Sequence, residues 1–118
     1  MKKINWKTVL SVLLSAFFVL GGTLNILASP DILADYDRWG YPAWFHYVTG
    51  GLELTAAMLM AIPATRIAGS ALAAAVMASA AGTVLLHGEY LHALPPVIVF
   101  TLVCLNGWLT RKDRRLAA

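Results

Sequence analysis

The chain has 118 residues, of which 59% are hydrophobic and 13% charged, where an average soluble domain carries roughly 25% charged residues. A chain this short has room for one domain, residues 1–118, and cannot hide so much apolar side chain in a water-soluble core, so the surplus faces lipid. The net charge of +3 is carried mostly by clusters that flank the outermost apolar runs, Lys2, Lys3 and Lys7 before the first and Arg111, Lys112, Arg114 and Arg115 after the last. Such clusters meet anionic headgroups and exclude a nucleic-acid partner.

The first apolar run, about 8–28, is long enough for the roughly 20 residues of a membrane span. Its length and the poor small-x-small site at Ile26-Leu27-Ala28 favour a retained helix over a cleaved signal peptide. Ser29-Pro30-Asp31 stops it, because proline withholds a backbone donor. The segment from Asp31 to Pro42 is polar and ends in the turn-like Gly40-Tyr41-Pro42. A second run, about 43–62, opens with Trp44, Phe45 and Tyr47, aromatics suited to a headgroup interface.

Pro63 to Arg66 forms a tight turn into a third run, about 67–86, rich in Gly, Ala and Ser. Small residues of this kind let helix backbones approach closely within a bilayer. A loop from His87 to His92 leads to the fourth run, about 93–110, with Pro95 and Pro96 in its first turn, where proline is tolerated. The lone cysteine, Cys104, lies in this run, so neither an internal disulfide nor dithiol exchange is available.

The expected fold is therefore all-α, a four-transmembrane-helix bundle. Four spans place both termini on one side, together with Arg66, and only Arg38 opposite. The positive-inside rule makes the crowded side cytoplasmic, giving an N-in, C-in protein of the inner membrane.

Ionisable groups at membrane depth are costly and mark candidate sites. Glu53 lies ten residues past Ala43, about 15 Å along the helix and near the middle of the hydrocarbon. There it must pair, reach water or stay protonated, and it is either interhelical hydrogen-bond glue or part of a working site. His46, Thr49, Gly50 and Glu53 share one helix face at three- and four-residue spacing. His46 also suits a plain interfacial role, snorkelling to the headgroups. Ser79, Thr83 and His87 form a second polar stripe, and Asn25 a third contribution from the outer third of the first helix. Together Asn25, His46, Thr49, Glu53, Thr83 and His87 outline a polar pocket opening outward and closed toward the cytoplasm by apolar side chains. Asn106, near the inner end of the fourth run, suits a local or interhelical hydrogen bond. His87, Glu89 and His92 form only a loose mixed set in a short loop, better read as solvated than as a metal site.

Several segments resemble the DoxX-like family of small four-helix membrane proteins, from the first helix to the fourth. They are Gly22-Thr23-Leu24-Asn25, Trp39-Gly40-Tyr41-Pro42-Ala43-Trp44, Gly50-Gly51-Leu52-Glu53-Leu54, Arg66-Ile67-Ala68-Gly69 and His87. Family members often carry lysine where this chain has Asn25, which removes a charge partner for Glu53. The resemblance implies thiosulfate-to-quinone electron transfer, oxidative-stress complexes or resistance to catechols and quinones.

Three functions are thus open. The first is a binder of a small quinone or phenolic molecule, accessory to a membrane redox or stress-resistance system and not an enzyme by itself. Glu53 and His87 would hydrogen-bond the ligand, with a bound quinone as the one cofactor to expect. The second is a small proton-coupled exporter using Glu53, and the third a non-catalytic scaffold or assembly factor. Expected partners are the lipid bilayer, a membrane redox protein and further copies of the chain.

Overall fold

The computed structural model describes residues 5–117; Lys2 and Lys3 of the first basic cluster lie outside them. Helix α1 spans Trp6–Leu27 and begins at Asn5, whose side chain accepts a hydrogen bond from the Lys7 amide, so an otherwise orphaned donor is satisfied. Ala28 closes it with a positive φ of 42°, a costly conformation for a residue with a Cβ. The chain then turns sharply into α2, Pro30–Arg38. Ser29 caps this helix, Pro30 occupies its first turn, Asp31 lies at its positive end and Arg38 at its negative end. Each of these suits its place in the helix.

Helix α3 spans Phe45–Ala61, a single 3₁₀ turn covers Pro63–Thr65, and α4 spans Arg66–Leu86. A second 3₁₀ turn, Tyr90–Ala93, leads into α5, Leu94–Ala117. No strand occurs among the described residues. The chain runs up and down along a long axis of 49 Å, with α1 against α3, α3 against α4 and α4 against α5.

Close approach at the crossings depends on missing side chains. A Cβ on Gly50 would lie 2.7 Å from the Gly22 carbonyl oxygen, and one on Gly69 would lie 2.5 Å from the Met60 amide nitrogen. These contacts let α1 and α4 press on the two sides of α3, as small residues do in membrane bundles. The apolar core between the helices centres on Leu14, Phe18, Ala57, Met60, Ala73 and Val103.

One end of the bundle carries most of the described basic residues. Lys7 pairs with Asp113 at 2.8 Å, and Arg66 donates to the carbonyl oxygens of Met60 and Ala61. Arg114 donates to the Pro63 carbonyl oxygen. Just inside this end, Ser11 donates to Asn106 Oδ1 at 2.7 Å and Asn106 Nδ2 donates to Ser70 Oγ at 3.0 Å. That buried chain ties α1, α5 and α4 together.

Among the described residues three helices, rather than the expected four, are long and apolar enough to cross a membrane: Trp6–Leu27, Pro63–Leu86 and Tyr90–Leu116. The shortfall is in α3, which has 17 residues because Pro42, Ala43 and Trp44 remain outside it. That length corresponds to about 25 Å, less than a hydrocarbon core of roughly 30 Å. The bounds move elsewhere too, since α5 continues past Thr110 to Ala117 and the polar segment after Ser29 is largely helical. The three long apolar helices are those of a multi-pass membrane protein.

Candidate functional site

At the end away from the basic cluster the helices enclose a cavity of about 620 Å³. Its polar side is built from the middle of α3 and the end of α1. Glu53 projects from α3 toward Gly21 and is only 4% exposed. Asn25 Nδ2 donates to Glu53 Oε1 at 2.6 Å and also reaches the Gly21 carbonyl oxygen. Tyr36 Oη, from α2, donates to Asn25 Oδ1 at 2.9 Å. A directed chain Tyr36→Asn25→Glu53 results, and among the described residues no cation pairs with Glu53. A buried carboxyl held by one amide and no counter-charge has spare hydrogen-bonding capacity.

Gly21 makes room for this carboxyl. A Cβ there would lie 2.5 Å from Glu53 Oε2. The opposite wall comes from α4, where Thr83 donates to the Ser79 carbonyl oxygen and is within hydrogen-bond distance of Tyr41 Oη. With its proton committed to Ser79, Thr83 is placed to accept from Tyr41.

The upper wall is aromatic. Tyr41 and Phe45 stack at 4.4 Å with their planes 6° apart, and Tyr36 lies 5.8 Å from Tyr41. Tyr36 and Trp39 meet edge-on at 5.7 Å. All four rings line the cavity. Burial pushes the Tyr36 hydroxyl above its ordinary value, so it remains a donor. Toward the basic end Phe17, Leu72, Val76 and Val99 make an apolar floor. The arrangement of flat aromatic walls, one uncompensated carboxyl and several hydroxyls fits a small planar molecule with oxygen substituents.

Across the mouth runs an ionic latch. Glu89, between α4 and α5, accepts from Arg38 Nη2 at 2.7 Å and from Trp39 Nε1 at 2.7 Å. Arg38 also pairs with Asp35 at 2.8 Å, and His92 Nδ1 lies 3.1 Å from Glu89. The Arg38 guanidinium and the Trp39 indole hold the Glu89 carboxyl well below its usual range, at about 2. The latch fastens α2 to the loop beyond α4.

Of the residues singled out in the sequence, Asn25, Thr49, Glu53 and Thr83 line one cavity. His46 and His87 are not among its lining residues. His46 is buried and bonds the Asn25 backbone carbonyl through Nδ1 at 2.8 Å, fastening the end of α1 to α3. His87 is exposed and its Nδ1 meets the Thr83 carbonyl oxygen, where it caps the end of α4. Among the described residues no group of three His, Cys, Asp or Glu is placed to hold a metal ion.

Tyr36, Trp39 and Tyr41 were not singled out for the site from the sequence. The usable signal was the Ser29-Pro30-Asp31 start of a helix, whose one aromatic, Tyr36, returns to Asn25.

No curated protein and no solved structure matches this chain. The DoxX-like family model matches residues 9–106, which take in nearly all of α1, the whole of α2, α3 and α4, and the first half of α5. That stretch holds every residue of the cavity and covers most of the sequence, so the chain belongs to the DoxX-like family.

Proposed function

We propose that this protein binds a small quinone or phenolic molecule in an outward-facing membrane pocket, as an accessory to a membrane redox or stress-resistance system. The observation that carries the reading is the Glu53 carboxyl, buried without a cation beside stacked aromatic rings in a cavity of about 620 Å³. A ring packs against the cavity side of Tyr36, Tyr41 and Phe45, and its oxygens exchange hydrogen bonds with Glu53, Asn25 and the hydroxyls of Thr49 and Thr83. Glu53 is positioned to take up or return a proton when such a ligand changes redox state, the electrons coming from a partner in the membrane. In this reading His46 supports Asn25 from behind, and His87 serves as a helix cap.

The same reading sets the protein in the inner membrane as a single four-span domain. α3 is short, but its packing against both α1 and α4 supports a crossing in company with them. Both termini then lie with the basic cluster on the cytoplasmic side, and the cavity opens on the other. An exporter must open its site to both sides in turn. Here Phe18, Met60 and Val103, all fully buried, fill the bundle between the cavity and the basic end, which favours binding over export.

The test is a titration of purified protein with quinones and phenols, read by quenching of Trp39 fluorescence in a chain whose Trp6, Trp44 and Trp108 are replaced by phenylalanine (hereafter wild type), and in the same chain with Glu53→Gln. Saturable binding that weakens about tenfold in the variant is expected, equivalent to one lost charge-assisted hydrogen bond. No binding to wild type by any member of either class overturns the proposal.

A further inference from the structure

The cavity is partly covered toward water, where His92 and Pro95 leave an exposed rim, and it is also open along the side of the bundle. On the aqueous side α2 lies across the mouth, with Asp35 and Trp39 in the cavity wall and Arg38 pinned to Glu89. Two further bonds, Trp39 to Glu89 and Tyr36 to Asn25, hold the same helix down. At the depth of Glu53 the wall is broken. Phe17, Leu52, Ala75 and Ser79 all line the cavity and are exposed rather than covered by a neighbouring helix. Phe17 is 44% and Leu52 41% exposed. These residues sit in the middles of α1, α3 and α4, where the surrounding solvent is hydrocarbon.

From this we infer that the ligand reaches the pocket sideways from the bilayer, and that it is a membrane-dissolved amphiphile. Its oxygen-bearing ring occupies the space beside Glu53, while an apolar tail passes out between the helices past Leu52 and Ala75. The inference rests on the ligand reading above and names the subclass of molecule it takes. A tail left in lipid exchanges one apolar surrounding for another, so it neither adds nor removes much binding free energy once the ring is seated. A closed, water-fed cavity would have to swallow the tail or reject it.

The experiment uses the full chain in lipid nanodiscs and two probes, a dimethoxy-methyl-benzoquinone bearing a decyl tail and the same ring without it. Binding is read by Trp39 quenching and expressed per mole fraction of probe in the bilayer. Comparable affinity for both probes in wild type is expected. Ala75→Trp, which fills the breach from the lipid side, should weaken the tailed probe about tenfold or more and the tail-less probe by less than about threefold.

If wild type binds the tail-less ring but rejects the tailed one, or if Ala75→Trp affects both alike, lateral entry is overturned and the ligand reading survives. If wild type binds neither, the ligand reading itself fails. Wild type alone separates these cases, so they remain readable should Ala75→Trp not fold.

Discussion

Glu53 is a buried carboxyl with no cation paired to it among the described residues, and its neighbours explain how it is kept. Gly21 leaves space for Oε2, Asn25 donates to Oε1, and Tyr36 holds Asn25 with its amide turned the right way. Tyr36→Phe removes the donor and leaves Asn25 Oδ1 unpaired in a half-buried site. The expected cost is about 1–2 kcal/mol of stability, with weakened ligand binding. A fall in the thermal midpoint, together with the Trp39 titration, measures both. Gly21→Ala should act more selectively, since its methyl meets the tip of a flexible side chain rather than backbone. Folding is expected to be nearly unchanged and binding impaired, and a fully folded variant with wild-type affinity would show that the position of Oε2 does not matter.

Residue-scale chemistry was the part most legible beforehand. Asn25, Thr49, Glu53 and Thr83 stand out because polar groups inside apolar runs are few and fall at helical spacing. His87 follows Ser79 and Thr83 at the same spacing, yet α4 ends at Leu86. Beyond the helix the periodicity has no meaning, and the ring turns back on the Thr83 carbonyl instead of entering the cavity.

At the scale of elements the decisive piece is α2, and it was also the least legible. With nine residues, a polar average composition and no buried side chain, it is too short and too polar to stand out beside the long apolar runs. What fixes it is tertiary: Tyr36 to Asn25, and Arg38 and Trp39 to Glu89. The latch carries a pH dependence of definite sign. Glu89 is held at about 2 against an ordinary 4.5. A carboxyl lowered on folding stabilises the folded state fully above its unfolded value and loses that contribution as the pH falls toward its folded one. The hold on α2 should therefore be constant above about pH 5 and decay between 4.5 and 2. Hydrogen exchange of the α2 amides measures this directly. Glu89→Gln at neutral pH should reproduce the faster exchange of wild type at low pH, while exchange in the core of α4 stays slow in both.

The short α3 has a related explanation. Apolar content alone suggested a run from Ala43, but Pro42 and the Trp44 turn hold back its start, and the helix gains its place from glycine contacts on both flanks. Gly69→Ala tests that packing. Its Cβ would meet the Met60 backbone, which cannot rotate away, so a loss of about 1–3 kcal/mol is expected, read from thermal unfolding in detergent. An unchanged midpoint would mean that α3 and α4 can separate freely.

Across the whole molecule the two ends differ in kind. The basic end is bolted by Ser11, Asn106 and Ser70 and by the Lys7–Asp113 pair, whereas the other end is hollow and covered by α2. A membrane location follows from composition, because 118 residues cannot bury this much apolar surface among themselves. The cavity does not follow from composition, since it depends on where an unassuming polar helix folds back. Together the bolted base and the latched, hollow top give the frame in which the proposed ligand would sit beside Glu53.

The most direct measurement is mass spectrometry of the small molecules carried through gentle purification, with Glu53→Gln prepared in parallel. A quinone or phenolic compound present in the wild type and depleted in the variant is the expected result. Bulk lipid alone in both preparations would contradict a ligand-binding role and leave Glu53 as a structural hydrogen-bonding group between α1 and α3.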